Sequence, residues 1–196
     1  MVSWKGKTKY RKQGKLLQAI TDQQFSDGLE HGHFTQRKHK GYAILLWLTG
    51  LRRSEVLELK KEQFLLTSKT LFIDTGVRKK KKWFTKQGKP KTPMKPDPLP
   101  LPLEAPHMNE ILYALENTKP GERVFPFSAS TAYNITSRGW NVYPHYFRLS
   151  RITNFLEEGY ELPDIKNWTS LTVSAIDSYV GKGKLKSMGE SLAIKK

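Results

Sequence analysis

Apolar residues recur at three- and four-residue intervals over most of the chain, the spacing of helices that bury one face. Residues 16–32 are predicted to be helical: Phe25 and Leu29 lie four apart, and Thr21 or Asp22 is placed to cap the start. Residues 36–48 read as a second helix, with Ala43, Leu46 and Trp47 as its buried stripe and Gly50 as its stop. A third spans 53–59 and opens near Arg52. Further on, residues 106–117 present Ile111, Leu112 and Leu115 on one face. Residues 128–138 follow a cap at Ser128 or Ser130, and residues 145–158 follow Pro144 and end at Gly159. Another helix starts over 163–167, and 171–179 is a last amphipathic stretch. β-Prone residues lie between these: Leu71, Phe72 and Ile73 mark a strand over 69–74, 83–85 is a possible second, and 124–127 is a short extended piece. Residues 88–106 hold seven prolines, which excludes a helix interior. Residues 70–103 therefore form a small sheet or extended hairpin with a basic tip and a proline-rich exit. There is no internal repeat. The expected fold class is mostly α with a small antiparallel β-sheet.

A length of 196 residues suits one domain with tails. The expected division is a basic N-terminal tail (1–15), a folded domain (16–180) and a C-terminal tail (181–196). No cysteine is present, so disulfides and cysteine metal sites are excluded. The longest apolar run, residues 42–48, is far too short to cross a bilayer. Residues 1–15 are basic but lack the apolar core of a signal peptide. These features point to a soluble cytoplasmic protein.

Charge narrows the picture more. Thirty-four Lys and Arg face eighteen Asp and Glu, a net charge of +16. Such a surface attracts polyanions, of which nucleic acid is the commonest inside a cell. A ribosomal-type structural protein or a membrane-surface binder would share the composition. The charge is clustered. Residues 1–15 carry six basic residues and no acid, 78–95 carry nine and no acid, and 182–196 carry five against Glu190. Runs of this kind are ordinarily solvated tails and loops, and they also suit contact with phosphates without base reading.

Three local patterns carry candidate chemistry. Residues 49–59 read T-G-L-R-R-S-E-V-L-E-L, so Arg52 sits at the turn between a buried helix and the next one. A turn lets a guanidinium point into a cleft while apolar flanks anchor the backbone. His145 and Arg148 are three apart in H-Y-F-R, on neighbouring positions of one helical face. Trp168 then precedes Tyr179 near the end of the fold. Taken singly, each has a bland reading: a surface arginine after a cap, a chance H-x-x-R, a core tryptophan and one of eight tyrosines.

In this order the three patterns resemble the tyrosine recombinase (phage integrase) family, which shares its catalytic core with type IB topoisomerases. T-G-L-R-x-S-E-x-x-x-L is similar to that family's first box. H-x-x-R, a helix ending at Gly159, then Trp, then Tyr is similar to its second. The resemblance covers residues 16–180. It implies that Arg52 and Arg148 bind the scissile phosphate, that His145 and Trp168 occupy the family's next active-site positions, and that Tyr179 is the nucleophile. Glu55 would orient Arg52. The family's general acid is a lysine in a β-turn after the first arginine. Lys79 is the favoured match, with Lys81 and Lys86 as alternates, and Lys80, Lys81, Lys82 and Lys86 would contact the DNA backbone. The gap from Trp168 to Tyr179 is about two residues longer than in comparable members, Leu149 stands where many carry another His, and the proline-rich exit is long. Members usually also carry an N-terminal helical domain that clamps DNA from the other side. Only a basic stretch of about fifteen residues precedes the core here, so the expectation is a truncated or minimal enzyme.

The chemistry suits these residue types. Breaking a phosphodiester by transesterification adds negative charge to the non-bridging oxygens, and guanidiniums offer planar, permanently charged forks to hold it. A phenol with a pKa near ~10 needs cations or a base to attack at neutral pH. The resemblance implies a 3′-phosphotyrosine intermediate, no metal and no cofactor. Its implied partners are double-stranded DNA and further copies of the chain, dimer to tetramer, on the nucleoid or in the host cytoplasm, with no membrane. The rival readings are type IB relaxation, a non-catalytic basic DNA-binding protein and, more distantly, a relaxase. His31 and His33 superficially match the relaxase metal pair, but they read better as a helix end.

Overall fold

The computed structural model describes residues 19–76, 97–169, 171 and 176. Its elements are α1 (Asp22–His31), α2 (Arg37–Thr49), α3 (Arg53–Glu58), a short 3-10 turn (Lys61–Gln63), β1 (Phe64–Leu66), β2 (Thr70–Ile73), β3 (Leu99–Pro102), α4 (Met108–Glu116), α5 (Ala129–Trp140), α6 (Pro144–Glu157) and α7 (Leu162–Thr169). The fold is mostly α with one three-stranded antiparallel sheet, as expected.

α2 is the centre of the molecule. Tyr42 to Trp47 are all buried, so the helix has no solvent face over this run and its apolar stripe is wider than Ala43, Leu46 and Trp47 alone. A helix buried all round belongs in the middle of a bundle, with α4 and α6 among its neighbours. Aromatic rings fill the space between α1, α2, α5 and α6. Phe25 stacks between Trp47 (4.7 Å) and Trp140 (5.0 Å), and Phe147 meets all three edge-on. Gly28 permits this stack, since a Cβ there would lie 2.1 Å from the Trp140 indole nitrogen.

Burial of α2 leaves one defect. The Tyr42 hydroxyl is enclosed and has no hydrogen-bond partner among the described residues, and burial pushes its pKa well above the usual tyrosine range. An unsatisfied buried hydroxyl costs free energy that phenylalanine would not. Tyr42→Phe is expected to stabilise the protein by about 1 kcal/mol, read as a rise in melting temperature; a fall would show that the hydroxyl has a partner in solution.

Several boundaries differ from expectation. α1 starts at Asp22, because Thr21 and Gln24 close a reciprocal capping box there, so residues 19–21 lie outside it; residues 16–18 of the expected helix fall outside the described residues. The residues before it leave the helix: the Ile20 N–H donates to Ser150 Oγ and Asn154 Nδ2 donates to Ile20 O, tying the entering chain to α6. The expected strand at 69–74 is β2, and the stretch at 124–127 is anchored by Val124 N–H donating to Leu59 O rather than by a strand. β1 was not anticipated; β2 and β3 are the two arms of the hairpin expected over 70–103, although no strand was assigned to 99–102 itself. The possible strand at 83–85 lies outside the described residues, as do the basic tip and most of residues 171–179.

β3 shows how a strand survives in the proline-rich stretch. It pairs antiparallel with β2, Leu71 opposite Leu101 and Ile73 opposite Leu99, and all four leucine and isoleucine side chains are buried. The Leu103 N–H donates to Lys69 O, so odd-numbered N–H groups face β2. Pro100 and Pro102 fall on the alternate positions, where an N–H would point to the open edge.

Candidate functional site

The site is built where α2 ends. Gly50 caps α2 in the left-handed conformation (φ 60°), which a side chain adopts only with strain, and its N–H donates to Leu46 O. Two residues later Arg52 is the N-cap of α3. Glu55 reaches back one turn: one carboxylate oxygen accepts from the Arg52 backbone N–H at 2.7 Å and the other from its guanidinium Nη1 at 2.7 Å. Glu55 thus braces both the turn and the Arg52 side chain. Arg52 remains open to solvent, its side chain 43% exposed.

Arg148 lies on the other side of Gly50 and differs in character. It is 1% exposed and the largest fully buried side chain among the described residues. Nη1 donates to Gly50 O at 2.6 Å and Nη2 donates to Thr169 O at 2.8 Å. Those carbonyls stand at the C-terminal ends of α2 and α7, where helix dipoles place negative partial charge. Two helix ends therefore converge on one cation. They end alike: Thr49 and Thr169 each donate a hydroxyl to the carbonyl four residues back, and each hydroxyl oxygen accepts the N–H two residues on.

Trp168 joins the same junction. Its indole N–H donates to Thr49 O at 3.0 Å, and its ring meets Phe155 edge-on. Arg52, Glu55, Arg148 and Trp168 are thus gathered around residues 49–52. His145 is at the start of α6 beside Tyr143, rings parallel with centroids 6.5 Å apart, and is exposed where Arg148 is buried. Three residues fall about 60° short of a full turn, so the H-x-x-R pair divides between surface and interior rather than sharing one environment. Lys79, Lys80, Lys81, Lys82, Lys86 and Tyr179 lie outside the described residues.

Sequence reasoning missed Thr169 and Arg151. Thr169 contributes a main-chain oxygen, which any residue type would supply. Arg151, one turn beyond Arg148, lays its aliphatic stem against Gly50 and its guanidinium 4.2 Å over the Phe155 ring, with Glu158 at 3.4 Å. It braces the junction from α6. Among the described residues, no group of three or more His, Cys, Asp or Glu is placed to hold a metal ion, and no helix is long and apolar enough to cross a membrane.

No family model matches the chain, and no curated protein matches it. Solved structures do. The chain superposes on the XerH site-specific recombinase bound to its difH substrate with a TM-score of 0.61 at 14% identity, over 89% of this chain and 53% of that one. For the XerA recombinase the values are 0.62, 14%, 90% and 63%. For the Tn1549 transposon integrase in complex with transposon right-end DNA they are 0.64, 16%, 93% and 66%. The chain thus spans between half and two thirds of the length of these proteins. At such identity the likeness is one of fold: the fold is that of tyrosine recombinase catalytic domains.

Proposed function

We propose that this chain cuts and rejoins double-stranded DNA as a tyrosine recombinase, through a 3′-phosphotyrosine intermediate. The observation that carries the reading is the pairing of Arg148 and Arg52 across Gly50, one buried and fixed by two carbonyls, the other solvent-facing and oriented by Glu55. A permanent cation held in place before reaction loses little reorganisation energy when charge develops on a phosphate beside it. The net charge of +16 supplies the long-range attraction for DNA. The structures it superposes on are recombinases and an integrase, so strand exchange is favoured over simple relaxation.

In this reading the Tyr179 oxygen attacks phosphorus and its proton passes to a base, the role given to His145. The P–O5′ bond breaks, and the departing 5′-oxygen takes a proton from Lys79. The reverse attack by a 5′-hydroxyl restores the phosphodiester and frees Tyr179. Trp168 keeps α7 against the end of α2. Exchange between two duplexes calls for several copies of the chain on DNA.

The test is a duplex nicked near the cleavage point, so that the short product strand is lost and the intermediate is trapped. A protein–DNA adduct that survives SDS, forms in EDTA and disappears in Tyr179→Phe is the expected result. An adduct that persists in Tyr179→Phe would move the nucleophile elsewhere; Tyr160 is 53% exposed and would be examined before the buried Tyr146. No adduct on any duplex would favour a DNA-binding protein without catalysis.

A further inference from the structure

A cavity of about 170 Å³ opens between the turn that leads into α2 and the outer face of α5. We propose that it binds a phosphate group at a place separate from the Arg52–Arg148 site. Its polar lining is His33, Thr35, His39, Thr131, Asn134 and Arg138, with no carboxylate. Thr131, Asn134 and Arg138 follow one another at spacings of three and four, so α5 presents them as one stripe facing the cavity. His39 comes from α2 on the opposite side and is only 7% exposed. Its ring is held edge-on by Phe127 at 5.0 Å, and its Nδ1 is 3.3 Å from Thr35 Oγ1. Lys40 adds positive charge nearby, its ammonium 5.9 Å over the Phe34 ring that also lines the cavity.

Hydrogen-bond donors from two elements, two imidazoles and a guanidinium without an acid make a place for a compact oxyanion. The guanidinium and the lack of a carboxylate favour an oxyanion over a cation there. The volume admits a phosphate with a few waters. Burial and the neighbouring Arg138 charge hold the His39 pKa below the usual imidazole value. An anion between them would offset that repulsion and draw a proton onto the ring. The titratable and charged groups around His39 are Arg138 from α5, His33 from the turn and Lys40 from α2.

The phosphate has two possible sources, free in solution or in a DNA backbone. α2 has thirteen residues, so the cavity is about 20 Å from Gly50. That is roughly six nucleotides along one strand from a phosphate held at Arg52.

NMR of the histidine side chains of the full chain, titrated separately with inorganic phosphate and with a short duplex, tests this. The His39 resonances are expected to move on adding phosphate. Arg138→Gln should weaken that binding tenfold or more, and Arg138→Lys should restore part of it. Asn134→Ala serves as the test if Arg138→Gln does not fold. Movement with duplex as well, together with a salt slope smaller by about 0.9 in Arg138→Gln, assigns the site to the DNA backbone. Movement with phosphate alone assigns it to the free ion. If neither titrant moves His39, or if Arg138→Gln responds like the parent, the proposal is wrong. The readout needs no cleavage, so an empty cavity and an inactive Tyr179 give different results.

Discussion

Replacing Arg148 with methionine is expected to destabilise the fold by about 3 kcal/mol and to reduce covalent-adduct formation by at least ~100-fold. Methionine keeps much of the aliphatic stem, so the change isolates the guanidinium. That group donates to Gly50 O and Thr169 O in a fully buried position. Hydrogen bonds to a charged group contribute roughly 1.5–3 kcal/mol each, and the two carbonyls would be left without this donor. Arg148→Lys separates the two roles. An ammonium keeps the charge but cannot reach both carbonyls with a planar fork. Its stability should fall between parent and methionine, with adduct formation still strongly reduced. Denaturant unfolding and adduct kinetics read the two effects. A methionine variant as stable as the parent would show that Arg148 does not hold α2 and α7 together.

Arg52→Ala should do the opposite: adduct formation falls by about 10²–10³-fold while stability changes by less than about 1 kcal/mol. The Arg52 side chain is 43% exposed and its ion pair with Glu55 is at the surface. Alanine keeps the backbone N–H that donates to Glu55, so the α3 cap survives. What disappears is a cation aimed at solvent beside the Arg148 junction. The variant must be compared on equal occupancy of DNA, because one lost phosphate contact also weakens binding. A drop in adduct that vanishes at saturating duplex would make Arg52 a binding residue only. The contrast between the arginines is the sharper result: one change destabilises the fold and reduces adduct formation, the other reduces adduct formation alone.

The first box was legible because its structure is local. An apolar run, a glycine in the left-handed conformation and a Glu three residues after the N-cap are all properties of adjacent positions. The pairing of Arg52 with Glu55 follows from them. The burial of Arg148 was not legible. Its partners are main-chain oxygens 98 and 21 residues away, and a carbonyl carries no mark of residue type. Thr169 escaped notice for the same reason. β1 is three residues long and two of them, Leu65 and Leu66, are exposed, so it lacks the alternation that marks a strand. β3 was hidden by composition, since L-P-L-P satisfies the alternation but contains the residue least compatible with a central strand. The expected helix took in residues 19–21, where Ile20 instead bonds to α6, a contact 130 residues away that no local pattern announces.

The prolines of β3 have a consequence for how molecules of this protein meet one another. Sheets recruit further strands through rows of outward N–H and C=O groups, and any close approach of two molecules would bring such rows together. At β3 the outward positions are Pro100 and Pro102, which offer no N–H. A strand arriving from another molecule would find its ladder broken at every second residue. Among the described residues that edge offers no outward N–H, while Leu99 and Leu101, alternating with the prolines, turn their side chains into the core.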